Sequence, residues 1–305
     1  MTSQLGGFVD LQVNGYAGLD FNSDDYSQAD LARLCDRLRN DGVHQILATI
    51  ITAPLPQMIA RIERLVSMIE NDPGIASMIA GIHIEGPFIS PEPGYVGAHP
   101  ASAVRPAEID LAARLLDAGC GHVKLVTLAP EFDDACHVTK WLTEKKIVVA
   151  AGHSNASLTC LQRGIDAGLR LFTHLGNGCP PALPRHDNII QRVLSLADRI
   201  SISFIADSHH VPCFALKNYL SLVPSENIII VTDAISAAGF GPGRYQLGDQ
   251  TVEVDEAGAA WSTDRTHFAG SAATMPQMVA VLKSIGISAE LISKWTMDNP
   301  QRLIS

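Results

Sequence analysis

Five side chains suited to acid–base or metal chemistry follow short apolar runs in this sequence. Each lies in one of the segments GIHIEGP, AAGHSN, FTHLGNG, IADSHH and IVTDA. In that order the residues are Glu85, His153, His174, His210 and Asp233. A single histidine after a strand is usually a hydrogen-bonded structural residue, and a single aspartate there often caps a helix. Five such residues at the same place in successive units favour one shared site, provided that the runs are strands whose ends meet on one face.

Two imidazoles and one carboxylate are a typical ligand set of catalytic zinc, with a fourth position left for water. We expect Glu85, His153 and His174 to form that set, and Asp233 to act on the water without being a ligand. The sequence therefore predicts one divalent metal ion per chain. Zinc is the first choice, with iron, cobalt or manganese as alternatives.

The first apolar run, GFVDLQVNG at 7–15, carries two amide side chains, Gln12 and Asn14. Residues two apart on a strand project from the same face. In many metal-dependent hydrolases of barrel type this pair is His-x-His, whereas neutral amides are poor metal ligands beside imidazole. We therefore expect no second metal ion, and we expect Gln12 and Asn14 to support the site from behind its ligands.

Eight apolar runs alternate with longer amphipathic stretches, which indicates a parallel sheet covered by helices. The predicted strands are 7–13, 43–51, 77–84, 122–128, 147–151, 169–173, 200–205 and 228–232. The stretch 28–40 has apolar residues at helical spacing, with Ser27 as its N-cap and Gly42 as its stop. Eight such units favour an α/β fold, a (β/α)8 barrel of the TIM type, as one catalytic domain over 1–305.

Two stretches interrupt the alternation of strands and helices. Residues 85–106 form a Pro/Gly-rich loop that would overhang the mouth of a barrel. Residues 240–262 alternate in polarity like a β-hairpin, which predicts a hairpin insertion before the closing helices 271–285 and 288–297.

The composition of the 305 residues, with 47% hydrophobic content and a net charge of −10, bounds the partners. The acidic balance argues against nucleic acid or an anionic membrane surface as the main partner. No apolar run reaches the roughly 20 residues that span a bilayer, and MTSQLGG lacks the pattern of a signal peptide. The six cysteines are scattered with no C-x-x-C pair, as in a reduced, cytoplasmic protein.

The motifs, taken in order, resemble those of the N-acetylglucosamine-6-phosphate deacetylase family of the amidohydrolase superfamily. The matching stretches are GFVDLQVNG, GIHIEGPFISPE with GAHP, AGHSNAS, FTHLGNG, IADSHHV, VTDAISAAG, AGSAATM and NPQRLI. They run from residue 7 to the end of the sequence. The family includes members with His-x-His and two metal ions and members with Gln-x-Asn and one, and this chain matches the second kind.

The resemblance implies a role for each matching residue. Glu85, His153 and His174 would bind the metal, and Asp233 would be the general base and acid. His99, in GAHP, would approach the acetamide or the sugar. The remaining substrate contacts would be Asn177, Gly178, His210 and, near the phosphate, Arg185.

The resemblance also implies what the chain acts on. The expected reaction removes acetyl from an N-acetylated amino sugar, with N-acetylglucosamine 6-phosphate as the first choice. Two alternatives stay open: hydrolysis of a different amide, cyclic amide or aminated base, and a non-catalytic barrel that binds a metabolite. The partner expected in each case is a small molecule, and a homodimer is one assembly that the sequence allows.

Three features of the sequence depart from the family pattern. The sequence contains no segments that would form the family's small β-sandwich, so we expect a form without that domain. PEPGYVGAH stands where many relatives carry basic residues, and NGCPPALPRHDN differs from the family's usual loop. The last two differences bear on how a phosphate would be held.

Overall fold

The computed structural model describes residues 7–305. The N-terminal residues 1–6, which carry most of the segment assessed for a signal peptide, lie outside this range. Eight parallel strands form one sheet. They are β1 (Phe8–Val13), β2 (Val43–Ile51), β3 (Ile79–Glu85), β4 (Val123–Leu128), β5 (Val148–Ala151), β6 (Leu169–Phe172), β7 (Ser201–Ile205) and β8 (Ile228–Val231).

The strands neighbour one another in chain order, from β1 to β8. A parallel bridge between Val13 and Ala234 joins the end of β1 to the segment after β8. The backbone N–H of Asn14 donates to the Ala234 carbonyl at 2.7 Å. Every strand is largely buried, as expected for strands covered on both faces. The prediction of an α/β barrel of the TIM type is confirmed.

Helices cover the outside of the sheet. They are α1 (Gln28–Asn40), α2 (Leu55–Glu70), α3 (Pro73–Met78), α4 (Ile109–Ala118), α5 (His137–Glu144), α6 (Leu158–Asp166), α7 (Ile189–Leu194), α8 (Cys213–Leu222), α9 (Met275–Ser284), α10 (Ala289–Ser293) and α11 (Asn299–Ile304). The α1 boundaries are those predicted, and Ser27 caps the helix in a capping box with Asp30. Within residues 7–305, no helix is both long and apolar enough to cross a bilayer.

Some predicted boundaries are wrong for local reasons. The third strand begins at Ile79, two residues after its predicted start at 77, because α3 extends to Met78. Asp72 starts that helix by accepting hydrogen bonds from the amides of Gly74 and Ile75. The predicted helix 288–297 is α10 followed by a π-helix over Lys294–Asp298, which continues into α11.

The predicted hairpin at 240–262 is a three-stranded antiparallel sheet, which we call the insert. Its strands are β9 (Gly243–Leu247), β10 (Gln250–Val254) and β11 (Ala260–Ser262). The third strand folds back because Asp255 accepts hydrogen bonds from the amides of Ala257 and Ala259, which closes a tight turn. The hairpin prediction thus missed one strand.

Candidate active site

A cavity of about 450 Å³ opens at the carboxyl ends of the barrel strands. Most of the residues singled out in the sequence line it: Asn14, Glu85, His99, His153, His174, Asn177, Gly178, His210 and Asp233. They come from loops far apart in the chain and meet because parallel strands end on the same face of a barrel.

The carboxylate of Glu85 lies at the centre of the group. Its Oε1 is 3.0 Å from Nε2 of His174 and 3.4 Å from Nε2 of His153. All three residues are buried. Ligand atoms about 2.0–2.1 Å from a tetrahedral zinc ion lie about 3.3–3.4 Å from one another, so the distances from Glu85 to the two imidazoles are compatible with ligands of a common divalent ion.

His99 reaches the same group from the loop after β3. Its Nε2 is 3.8 Å from Oε2 of Glu85, and its ring packs edge-on against that of His153 with centroids 4.4 Å apart. Nδ1 of His99 is 2.9 Å from the Thr52 hydroxyl. Ligand atoms of Glu85, His99 and His153 all lie within 4.8 Å of one another, so His99 is a further candidate ligand, in addition to a group that could approach substrate.

Three site residues have backbones in the left-handed region: His153 at φ 51°, His174 at φ 33° and Asp233 at φ 51°. A non-glycine residue there costs of order 1 kcal/mol or more, and such strain is found mainly where a side chain must be aimed. Each of the three lies two residues after the last residue of a strand, where the chain turns its side chain into the barrel mouth.

Two glycines allow loops to approach the ring of His153. A Cβ atom on Gly178 would lie 2.9 Å from Nδ1 of His153, and one on Gly97 would lie 3.1 Å from Cε1 of the same ring. Both glycines have positive φ, 59° and 57°. Nδ1 of His153 is 2.9 Å from the Tyr95 carbonyl oxygen, which leaves Nε2 facing Glu85.

The side-chain amides of Gln12, in β1, and Asn14, just after it, bond the two carboxylates of the site. Gln12 Nε2 donates to Oε1 of Glu85 at 2.9 Å, while its Oε1 accepts from the Thr173 hydroxyl at 2.6 Å. Asn14 Nδ2 donates to Oδ1 of Asp233 at 2.7 Å. Gln12 and Asn14, two residues apart, thus hold different carboxylates.

The environment separates the two carboxyl groups chemically. Burial alone would raise the pKa of Glu85, but the hydrogen bonds and charges of His153 and His174 outweigh it and hold that pKa well below its usual value. Burial, reinforced by the nearby charge of Glu85, raises the pKa of Asp233 to about 6. Glu85 is therefore the stable anion suited to a ligand, and Asp233 the group suited to exchanging a proton.

Known proteins are similar to this chain in sequence over most of its length, although no protein-family model matches it. It is 34% identical to the N-acetylglucosamine-6-phosphate deacetylase of Homo sapiens and 33% identical to that of Bos taurus, and each match covers 98% of this chain and 73% of the relative. The chain belongs to the N-acetylglucosamine-6-phosphate deacetylase family. Membership in this amidohydrolase deacetylase family implies a divalent metal ion.

A solved structure of the same family has the same fold. An aspartate-to-alanine variant of the Mycobacterium smegmatis enzyme, in complex with N-acetyl-D-glucosamine-6-phosphate, matches with a TM-score of 0.88 at 29% identity, over 98% of this chain and 77% of that one. This agreement extends the family likeness from the sequence to the barrel as a whole.

Of the predicted substrate contacts, the structure leaves one outside the cavity. Arg185 is exposed on the loop after His174 and is not among the residues that line the cavity. The same loop does reach the cavity through Asn177 and Gly178. A contact of Arg185 with a substrate phosphate therefore remains a prediction.

Sequence reasoning missed Asp207, which orients His210. Oδ2 of Asp207 is 2.7 Å from Nδ1 of His210, and its Oδ1 accepts hydrogen bonds from the amides of His209 and His210. The charge of His210 outweighs burial and lowers the pKa of Asp207 to about 2. The signal was present in the sequence, since an aspartate three residues before a histidine at a strand end can both cap the turn and hold the ring.

Proposed function

We propose that this protein hydrolyses the acetamide of an N-acetylated amino sugar, with N-acetylglucosamine 6-phosphate as substrate and glucosamine 6-phosphate and acetate as products. The observation that carries the proposal is the convergence of Glu85, His153 and His174 beside Asp233 at the mouth of the barrel. The family's named reaction requires a metal site and a proton-transfer group, and this chain has residues suited to both.

In the proposed mechanism, Glu85, His153 and His174 hold one divalent ion, with His99 near enough to serve as a further ligand or to contact the acetamide. Such an ion supplies Lewis acidity: it polarises an amide carbonyl and acidifies water. Gln12 keeps Glu85 in place through its amide hydrogen bond. The rings of His153 and His174 pack edge-on with centroids 4.9 Å apart, which restrains their rotation.

Asp233 moves the proton. Its carboxylate takes a proton from the attacking water and then donates it to the amide nitrogen as the carbon–nitrogen bond breaks, so that the amine departs neutral. Burial that raises its pKa to about 6 brings both protonation states within reach near neutral pH. Asn14 fixes one carboxylate oxygen, Oδ1, by a hydrogen bond, so we assign the proton transfer to the other oxygen, Oδ2.

We place the substrate contacts at His99, Asn177, Gly178 and His210, all of which line the cavity. The bond to Asp207 fixes the ring of His210 and leaves its Nε2 for a substrate oxygen. Arg185 is proposed as the phosphate contact, because a guanidinium can bind phosphate oxygens through two parallel hydrogen bonds.

A substrate panel tests the proposed function. Acetate release is measured from N-acetylglucosamine 6-phosphate, its 4-epimer, unphosphorylated N-acetylglucosamine and a set of cyclic amides, each with zinc-loaded and metal-free protein. Metal-dependent acetate release from the amino sugars is expected. Hydrolysis of the cyclic amides alone would contradict the deacetylase assignment, and absence of hydrolysis on the whole panel would indicate a binding protein.

The remaining assignments are also proposals. Zinc is the metal that a Glu/His/His set suits best. We place the protein in the cytoplasm, because its cysteines show no pairing pattern. We propose one catalytic unit over 1–305, because one eight-stranded sheet runs through the described residues. A homodimer is supported by two large apolar side chains exposed on α8, Phe214 and Leu222, and light scattering tests it.

A further inference from the structure

A row of aromatic rings leads outward from the candidate site. The ring of Phe268 lies 4.8 Å from that of His210, and the ring of Trp261 lies 4.3 Å from that of Phe268, centroid to centroid. All three residues line the cavity. Their spacings are those of favourable aromatic contacts, so the row is a continuous wall that begins beside Asp233.

The insert holds this wall rigidly. Trp261 and Phe268 form an antiparallel bridge, which puts their side chains on the same face. The indole Nε1 of Trp261 donates to Oδ2 of Asp255 at 2.9 Å, which fixes the plane of the ring. Behind the wall, Leu247, Val252 and their buried neighbours pack the insert against residues of the barrel.

The wall faces a cavity whose described lining residues carry positive charge on histidines alone. Among the described residues that line it, none is an arginine or a lysine. Apolar side chains, including Leu183 and Ile190, complete the outer part of the lining. A substrate in this cavity can therefore gain binding energy from apolar contact between its uncharged part and the wall.

We propose that Trp261 and Phe268 form a stacking platform for the pyranose ring of the substrate, and that the platform determines affinity for the sugar independently of any phosphate. A pyranose presents a face of C–H groups, which are weakly positive and pack well on the negative face of an aromatic ring. With the acetamide at Glu85 and Asp233, the sugar ring extends along His210 towards the platform. The inference rests on the proposed function for the identity of the sugar.

Tryptophan fluorescence tests the platform without turnover. The chain has three tryptophans. Trp141 lies on α5, and Trp295 is buried against Ser225, so neither lines the cavity. In metal-loaded Asp233→Asn protein, N-acetylglucosamine should change the emission. Adding Trp261→Phe should abolish that change, whereas adding Trp141→Phe should leave it intact.

Kinetics separate stacking from simple packing of the insert. Trp261→Leu keeps apolar bulk but removes the flat ring, and it should raise KM about tenfold, with kcat little changed. Trp261→Phe keeps a ring and should raise KM less than about threefold. Thermal unfolding of both variants shows whether the insert remains folded. The rise for Trp261→Leu should be the same for phosphorylated and unphosphorylated sugar, whereas Arg185→Ala should affect only the phosphorylated one.

The outcomes distinguish this inference from the proposed function. If the sugar leaves the emission unchanged, if the Trp261→Phe protein keeps the change, or if the Leu and Phe variants have equal KM values, the platform is overturned. If the sugar changes the Trp261 emission but wild-type protein releases no acetate from either sugar, the platform stands and the deacetylase function fails.

Discussion

The side-chain amides of Gln12 and Asn14 provide a paired prediction. Gln12 bonds Glu85, the proposed ligand, and Asn14 bonds Asp233, the proposed base. Gln12→Leu removes the donor 2.9 Å from Oε1 of Glu85 and leaves side-chain volume nearly unchanged. A hydrogen bond to a charged group contributes about 1.5–3 kcal/mol. If that energy serves to hold Glu85 in the ligating position, metal affinity should fall roughly tenfold to a hundredfold.

The assay is competition for zinc against a chromophoric chelator, followed by kcat measured at saturating zinc. Gln12→Leu should raise the dissociation constant for zinc and recover most of its activity when zinc is saturating. Asn14→Leu is the matched control, because its amide bonds Asp233 at 2.7 Å and not Glu85. It should bind zinc like the wild type and have a kcat about tenfold lower. Wild-type zinc affinity in Gln12→Leu, or an equal loss of affinity in both variants, would show that the Gln12 amide does not position Glu85 as a ligand.

Further predictions address the other groups of the site. Asp233→Asn should lower kcat by about 10²–10⁴-fold while zinc affinity is retained; intact kcat with a stability loss of about 1 kcal/mol would identify a helix cap instead. Arg185→Ala should lower kcat/KM for the phosphorylated sugar roughly tenfold to a hundredfold and spare the unphosphorylated one; equal losses on both sugars would assign it to loop structure. Burial raises the pKa of Asp10 from 3.8 to about 7, so its contribution to stability is complete below pH 3.8 and is lost as pH rises through 7. Asp10→Asn should remove this pH dependence, which changes the free energy of unfolding in urea by at most about 4 kcal/mol. Parallel pH profiles of the wild type and Asp10→Asn would contradict this prediction.

The barrel could be predicted because its determinants are local. Each strand is an apolar run with polar or glycine residues at its end, and α1 has both a capping residue and an apolar stripe. The positions of Glu85, His153, His174 and Asp233 followed from the strand ends alone, since a barrel brings those ends to one face.

What the sequence did not reveal depends on contacts across the barrel. The hydrogen bond from Thr173 to Gln12 joins residues that are 161 positions apart in the chain. It forms only when strands that are distant in sequence take the correct register. His99 could not be placed against Glu85, because the loop after β3 follows no regular pattern. The last strand of the insert, Ala260–Ser262, is too short to give a period, so the pairing of Trp261 with Phe268 was also missed.

The most direct test of the central claim is zinc titration of metal-free protein with acetate release from N-acetylglucosamine 6-phosphate as the readout. In the proposal, Glu85, His153 and His174 hold one ion, and Gln12 and Asn14 bond carboxylates of the site and bind no second ion. Activity should therefore rise linearly and reach its plateau at one zinc ion per chain, and His174→Ala should show no such rise. A plateau at two ions per chain, or full acetate release by metal-free protein, would contradict the account.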